Sequence, residues 1–315
     1  MAKDDGVTVS KHISLTPDEM AEVVALKGVC DAFEGLDLKL GYGAADPAQA
    51  DYPAALLARV EGRLVGYCSL DGDESVAEMC GMVHPEWRRR RIGIRLFDMA
   101  RAGFVEAGGR QIFAVCEDAS ESGRVFLRML AGQRAFSEYR MTLRHEPSAP
   151  EAARAGQAGA LTIERARPED YQPLAAALAR AFDNTEERLL GDLTSASAVA
   201  TEQVYVARLA GAIIGGFRLS VMPDAIGIYA FGIDRGYQRQ GWGRRMLARA
   251  CALAQAQGAP RVSLEVDTDN AAAIALYQSS GFETGVTYGY YIFSPTLLAV
   301  GLGLDEDDEN EADEA

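Results

Sequence analysis

The sequence predicts an α/β protein built as two similar halves in tandem. Three observations carry the prediction. Strand-like and helix-like segments alternate through both halves. The halves follow one plan, with Gly93 and Gly243 at matching places 150 positions apart. A stretch rich in Pro, Gly and Ala, residues 146–160, lies between them and reads as a linker. The expected division is therefore 1–145, linker 146–160, and 161–298, followed by a tail over 299–315.

Each half opens with a short strand, Val7–Ser10 and Leu161–Glu164. Thr16-Pro-Asp-Glu and Arg167-Pro-Glu-Asp then read as helix starts, with Pro in the first turn and acids behind it. Residues 54–68 read as a hairpin turned at Glu61-Gly62, and 204–217 as its counterpart. A strand follows in each half, Ala77–Val83 and Ile228–Ile233. A loop rich in Arg or Gln then opens an amphipathic helix. Its apolar face is Leu96, Phe97, Ala100 and Phe104 in the first half, and Met246, Leu247, Ala250 and Leu253 in the second. In the second half Ser263–Val266 is the next strand.

Composition narrows the function. The chain has 315 residues and a net charge of −15. Nucleic-acid binding, which depends on neutralising phosphates, is disfavoured, and a cationic small molecule such as an amine is mildly favoured. Much of the charge lies in Asp305–Ala315, too acidic and too poor in apolar residues to fold alone. No apolar run is long enough to span a membrane, and Met-Ala-Lys-Asp-Asp-Gly carries no secretory signal. The five scattered cysteines form neither a disulfide framework nor a metal motif, which points to the cytoplasm and to no metal. His12, His84 and His145 all lie in the first half, so the second half has no histidine base. Nothing in the sequence specifies an oligomeric state.

The densest chemistry is Gln238-Arg239-Gln240-Gly241-Trp242-Gly243, between a strand and a helix. Such a loop exposes unpaired backbone N–H groups beside the positive helix end, which suits a phosphate. The spacing is neither a P-loop nor the Gly-x-Gly-x-x-Gly dinucleotide signature, since residue 246 is Met. Further on stand Asn270, Ala273, Leu276, Tyr277, Gly281 and Phe282. Asn270 suits a helix N-cap, and Gly281 the left-handed residue past a helix end.

These two segments together resemble the GNAT superfamily of acyl-CoA-dependent N-acetyltransferases, in its tandem two-domain form. The resemblance covers most of residues 161–295 and implies a mixed sheet with helices on both faces. Its central strands would splay and admit the pantetheine arm of acetyl-CoA along Phe231, Gly232 and Ile233. The amides from Gln238 through Arg239, Gln240, Gly241, Trp242 and Gly243 to Arg244 would hold the pyrophosphate. Asn270, Ala273 and Tyr277 would complete the cofactor site.

The implied reaction is direct transfer of an acetyl group to a small primary amine. Tyr277 would act as general acid toward the departing sulfur, since a phenol with a pKa of about 10 is protonated at neutral pH. For the amine proton, Glu265, Asp224 and Tyr229 through water stand beside an amine that is already partly neutral. Mycothiol-precursor, aminoglycoside and polyamine acceptors are alternatives, and so is an acyl-CoA sensor without turnover.

The first half looks degenerate. Arg88, Arg89, Arg90 and Arg91 precede Gly93, and Arg91 stands where the second half has Gly241. With Val83 they form either a second CoA site or a basic surface. Counting back from Ala135-Phe136 places Ala131 opposite Tyr277. Glu78 is a candidate base should this half be active.

Overall fold

The computed structural model describes residues 6–41, 52–72, 75–144, 161–294 and 296–297. His145, the expected linker and the acidic tail lie outside the described residues. The chain forms two compact units. Unit 1 is Met1–Ser137 with the stretch from Tyr288 onward, and unit 2 is Glu138–Thr287.

Unit 1 contains β1 (Val7–His12), α1 (Pro17–Glu34), β2 (Ala55–Val60), β3 (Arg63–Gly72), β4 (Val76–Val83), α2 (Ile92–Glu106), β5 (Gln111–Glu117) and α3 (Glu121–Met129). Its sheet runs β1-β2-β3-β4-β5 and is completed by residues 288–291 of β12 (Phe282–Ile292). The β4–β5 pair is parallel and the others are antiparallel, so the sheet is mixed. Thr16 caps α1 by accepting from the Glu19 N–H, while Glu19 accepts from the Thr16 N–H in return.

Unit 2 contains β7 (Leu161–Arg165), α4 (Pro168–Phe182), α5 (Glu186–Ala198), β8 (Glu202–Leu209), β9 (Ala212–Val221), β10 (Ile226–Ile233), α6 (Trp242–Ala256), β11 (Val262–Asp267) and α7 (Ala271–Gln278). Its sheet runs β7-β8-β9-β10-β11 and ends on residues 138–142 of β6 (Gln133–Leu143). Residues 133–137 of β6 belong to unit 1 and the rest of that strand to unit 2.

The expected hairpins form, and their turns explain them. Glu61 and Gly62 have φ of 48° and 83°, and Ala210 and Gly211 have φ of 50° and 86°. Two successive left-handed residues match the twist of the flanking strands. The helix α5 is not foreshadowed by the sequence pattern. Helices cover both faces of each sheet. In unit 2, Met246, Leu247, Ala250 and Tyr277 pack with Ile228, Leu264 and Val266 on one face, and α4 and α5 meet Val204 and Val206 on the other. Among the described residues, no helix is long and apolar enough to cross a membrane.

Candidate active site

Between β10 and α6 the chain makes a single turn of 3-10 helix at Arg235–Tyr237, capped by Asp234, which accepts from the Gly236 N–H at 2.9 Å. The Gln238 side-chain amide donates to the Ile233 carbonyl at 2.8 Å and ties the loop to the strand end. Arg239 and Gly241 then take left-handed φ of 62° and 85°. The N-cap of α6 is Gly241, which has no side chain to satisfy the first turn. Among the described residues, no protein acceptor meets the main-chain N–H groups of Arg239 through Arg244. These donors converge on the positive end of α6, a ready anion site. A Cβ at Gly241 would meet nothing within 4 Å. The space beside the loop is open, and only the backbone conformation favours glycine there. Around it, Gln240 accepts from the Trp242 indole at 3.3 Å, and Arg245 stacks on that ring at 5.0 Å. The Arg244 guanidinium ties α6 to Ser279, just beyond α7, at 3.0 and 3.2 Å.

The splay implied by the resemblance is present. β10 and β11 pair in parallel only at Ile226, Gly227 and Ile228. From Tyr229 onward the β11 side of β10 has no strand partner among the described residues. A bulge lies just there, with Ala230 at φ of 47° and a register shift between Tyr229 and Gly232. One extra residue exchanges the two faces of a strand. Tyr229 accordingly lies on the α4 face, while Phe231 turns to the opposite face, where its ring lies 6.2 Å from Tyr277. On the α4 face Gly232 is crowded by Leu178, Ala181 and Phe182, so a side chain would displace α4.

Tyr277 is 7% exposed and leans on Phe231 and Phe282. Its hydroxyl meets no hydrogen-bond partner among the described residues. Burial alone pushes this phenol up to about 12, so it holds its proton throughout the neutral range. Asn270 is the N-cap of α7 and accepts from the Ala273 N–H at 3.1 Å. It therefore fixes the helix that carries Tyr277.

The candidate bases are all engaged. Glu265 lies opposite Arg140 across β11–β6, with the charged groups 3.4 Å apart and both side chains buried. Asp224 accepts from Arg261 at 2.8 Å. Tyr229 lies beneath the Arg218 guanidinium, 5.6 Å from the ring centre. Its ring folds back over Gly227, where any Cβ would come within 2.3 Å of it. Because Leu264 and Val266 belong to the core under α6, Glu265 shares the α4 face with Tyr229.

Unit 1 repeats the backbone of this site with different side chains. β4 and β5 pair only from Val76 to Met79, then separate. Arg88 donates from Nε to the Val83 carbonyl at 3.0 Å, in the manner of Gln238. Arg89 and Arg91 hold left-handed φ of 65° and 63°, and no protein acceptor meets the N–H groups of Arg89 through Ile94 among the described residues. Arg90 stacks on Trp87 at 4.5 Å. A cleft of about 870 Å³ opens here, with Val83, Arg91 and Gly93 on its wall. The pairing of Arg88 with Glu34 at 3.0 Å, braced by Ser120 and Ser122, occupies its polar side. Glu78 faces Lys39 at 2.9 Å.

The residue opposite Tyr277 is Leu127, not Ala131. Ser120 caps α3 as Asn270 caps α7, and Leu127 follows its cap by the same number of residues as Tyr277 does. Ala131, at φ of 54°, takes the left-handed place of Gly281. Counting back from Phe136 misses this, because strand spacing after the helix does not preserve helix register.

The Acetyltransferase (GNAT) family profile matches residues 167–282, which span α4 to the start of β12. The mycothiol acetyltransferase of Clavibacter michiganensis is 30% identical over 74% of this chain and 78% of its own. The chain belongs to the GNAT acetyltransferase family. It is an N-acyltransferase that takes its acetyl group from acetyl-CoA. The mycothiol acetyltransferase of Thermobifida fusca is 29% identical over 88% of this acetyltransferase and 96% of its own chain. A tandem GNAT protein from the clavulanic acid biosynthesis pathway shares the fold, with TM-score 0.65 and 18% identity over 92% of this chain and 98% of that one.

Two features of the site escape a reading of the sequence. The Ala230 bulge leaves no compositional trace. Arg218 is legible only as a lone charge within the apolar strand Ala212–Val221.

Proposed function

We propose that unit 2 acetylates the primary amine of a small molecule by direct transfer from acetyl-CoA. One observation carries this reading: the open row of amides from Arg239 to Arg244 stands beside a splayed strand and a protonated, unpaired Tyr277 hydroxyl. The amides and the start of α6 hold the diphosphate. The free edge of β10 beyond Ile228 directs the arm between the two sheet faces. The thioester supplies an activated acyl carbon. Nitrogen bonds to that carbon, the carbon–sulfur bond breaks, and the Tyr277 hydroxyl gives its proton to the sulfur and recovers one from solvent. Exposed backbone donors at the splay are placed to stabilise the oxyanion. With Glu265 and Asp224 each held by an arginine, the amine proton leaves to water at the mouth, beside Tyr229. The five cysteines are free and buried, in keeping with a cytoplasmic setting.

A non-catalytic, ligand-holding role suits unit 1. It keeps the open amides and the cleft but has Leu127 where an acid is needed.

The test is release of CoA thiol from acetyl-CoA across a panel holding a mycothiol precursor, an aminoglycoside, a polyamine and simple amines. Turnover that persists in Leu127→Ala and is lost in Tyr277→Phe supports unit 2 as the catalytic one. Tight CoA binding without turnover of any amine favours the sensor reading instead.

A further inference from the structure

The α4 face of the unit 2 sheet is polar at its centre, where a covered sheet is ordinarily apolar. One row across the strands is Glu202, Ser220, Gly227, Ser263 and Thr142, each Cα opposite the next. The neighbouring row places Arg218 opposite Tyr229, and Glu265 opposite Arg140, on the two sides of the splay. Within these two rows two arginines stand against two glutamates, and the next row adds Asp267 opposite Glu138 on the same face.

Arg218 is held but not satisfied. Its Nε lies 3.0 Å from a Glu202 carboxylate oxygen, out of line for a hydrogen bond, and both atoms are buried without a hydrogen-bond partner. The Tyr229 ring supports the flat guanidinium from one side. No described residue accepts a hydrogen bond from either terminal nitrogen, although the side chain is only 32% exposed. Both terminal nitrogens reach solvent, so water meets them until a ligand takes its place. A guanidinium fixed by an ion pair and a ring presents a rigid fork matched to a planar carbonyl or carboxylate. Its backbone lies directly opposite Tyr229, the first residue of the splay, and so next to the place where the amine must attack.

Resting on the transferase reading above, we propose that Arg218 docks a carbonyl oxygen on the carbon bearing the reacting amine. The acceptor is then an α-aminoacyl compound, as a free amino acid or as its amide, rather than a plain alkyl amine. Tyr277 works from the other face, so the acceptor approaches on one side of the sheet and the thiol departs on the other.

The experiment compares L-alanine, L-alaninamide and isopropylamine, which differ only in the carbonyl group. Thiol release gives kcat and KM, and calorimetry on protein saturated with CoA gives acceptor affinity without turnover. The expected result is a KM for at least one carbonyl-bearing acceptor about tenfold or more below that for isopropylamine, the worth of one charge-assisted hydrogen bond. Preference for the acid over the amide identifies a carboxylate ligand, and the reverse an amide. Arg218→Met should remove that preference in both KM and calorimetric affinity, with acetyl-CoA affinity unchanged, and Arg218→Lys should restore part of it. Where the stranded Glu202 carboxylate unfolds the single variant, the double variant Glu202→Gln, Arg218→Met takes its place. Equal use of the three compounds, an unchanged preference in the variants, or no binding of any of them to CoA-loaded protein overturns the proposal. Failure to bind acetyl-CoA at all would instead overturn the transferase reading beneath it.

Discussion

Replacing Tyr277 by Phe removes one oxygen atom from a ring that otherwise keeps its neighbours. The ring lies 6.2 Å from Phe231 and 6.1 Å from Phe282, contacts that the variant retains. The hydroxyl has no partner to lose among the described residues, so stability should change by no more than ~1 kcal/mol. The chemical effect is larger. Burial raises the phenol from an ordinary value near 10 to about 12, which corresponds to ~3 kcal/mol in favour of the protonated form. A group so held is an acid at every assay pH and never a base. General acid catalysis is worth roughly 10²–10⁴-fold, so kcat should fall by at least about 10²-fold. The KM for acetyl-CoA should stay within about twofold, because the proposed diphosphate site is the row of amides at 239–244, away from the phenol. Parent kcat should show no alkaline loss attributable to Tyr277 up to about pH 10. Initial rates of thiol release at saturating acetyl-CoA, with a thermal melt beside them, decide the matter. A variant with kcat within about threefold of the parent would refute the role of the phenol.

Three further outcomes follow from the same geometry. Gly241→Arg should fold, since Arg91 occupies the equivalent left-handed place, at a cost of ~1 kcal/mol. It should also raise the KM for acetyl-CoA by about tenfold or more, and an unchanged KM would count against the loop. Arg140→Met removes the arginine that pairs with the Glu265 carboxylate and should destabilise the fold by roughly 1–3 kcal/mol in denaturant titration, whereas Arg140→Met with Glu265→Gln should recover part of it. For Asp234, burial pushes the carboxyl up, but the Arg180 hydrogen bond and the Gly236 N–H outweigh it and hold it below the ordinary range. A depressed carboxyl contributes stability above its unfolded value, and that stability is lost as pH falls below about 4. Asp234→Asn should therefore lower the melting temperature at pH 7 and flatten its fall between about pH 4 and 2. An unchanged acid limb would show that the pair is inert.

Local chemistry makes much of this protein legible in its sequence. Pro and acids after Thr16 and Arg167, two-residue turns at Glu61-Gly62, and glycine at 241 each specify backbone over a few residues. Such signals survive in sequence because dihedral preference and capping act within one turn of chain. Motif spacing from Gln238 to Phe282 likewise preserves the helix that aims Tyr277, since its cap and its end are fixed by Asn270 and Gly281. The miscount at Ala131 marks the edge of that reach: helix register must be read from its own cap, and Ser120 is that cap.

The sequence by itself determined the element order apart from α5, the loop that exposes its amides, and the residue type proposed as the acid. Only the tertiary structure decided which face each strand residue meets, that Glu265 is bound to Arg140, and that Arg218 stands open beside the splay. The physical reason is that strand faces alternate residue by residue, so the bulge at Ala230 exchanges the faces of the β10 residues beyond it. Ion pairs such as Arg140 with Glu265 join residues 125 positions apart, and no local pattern records them.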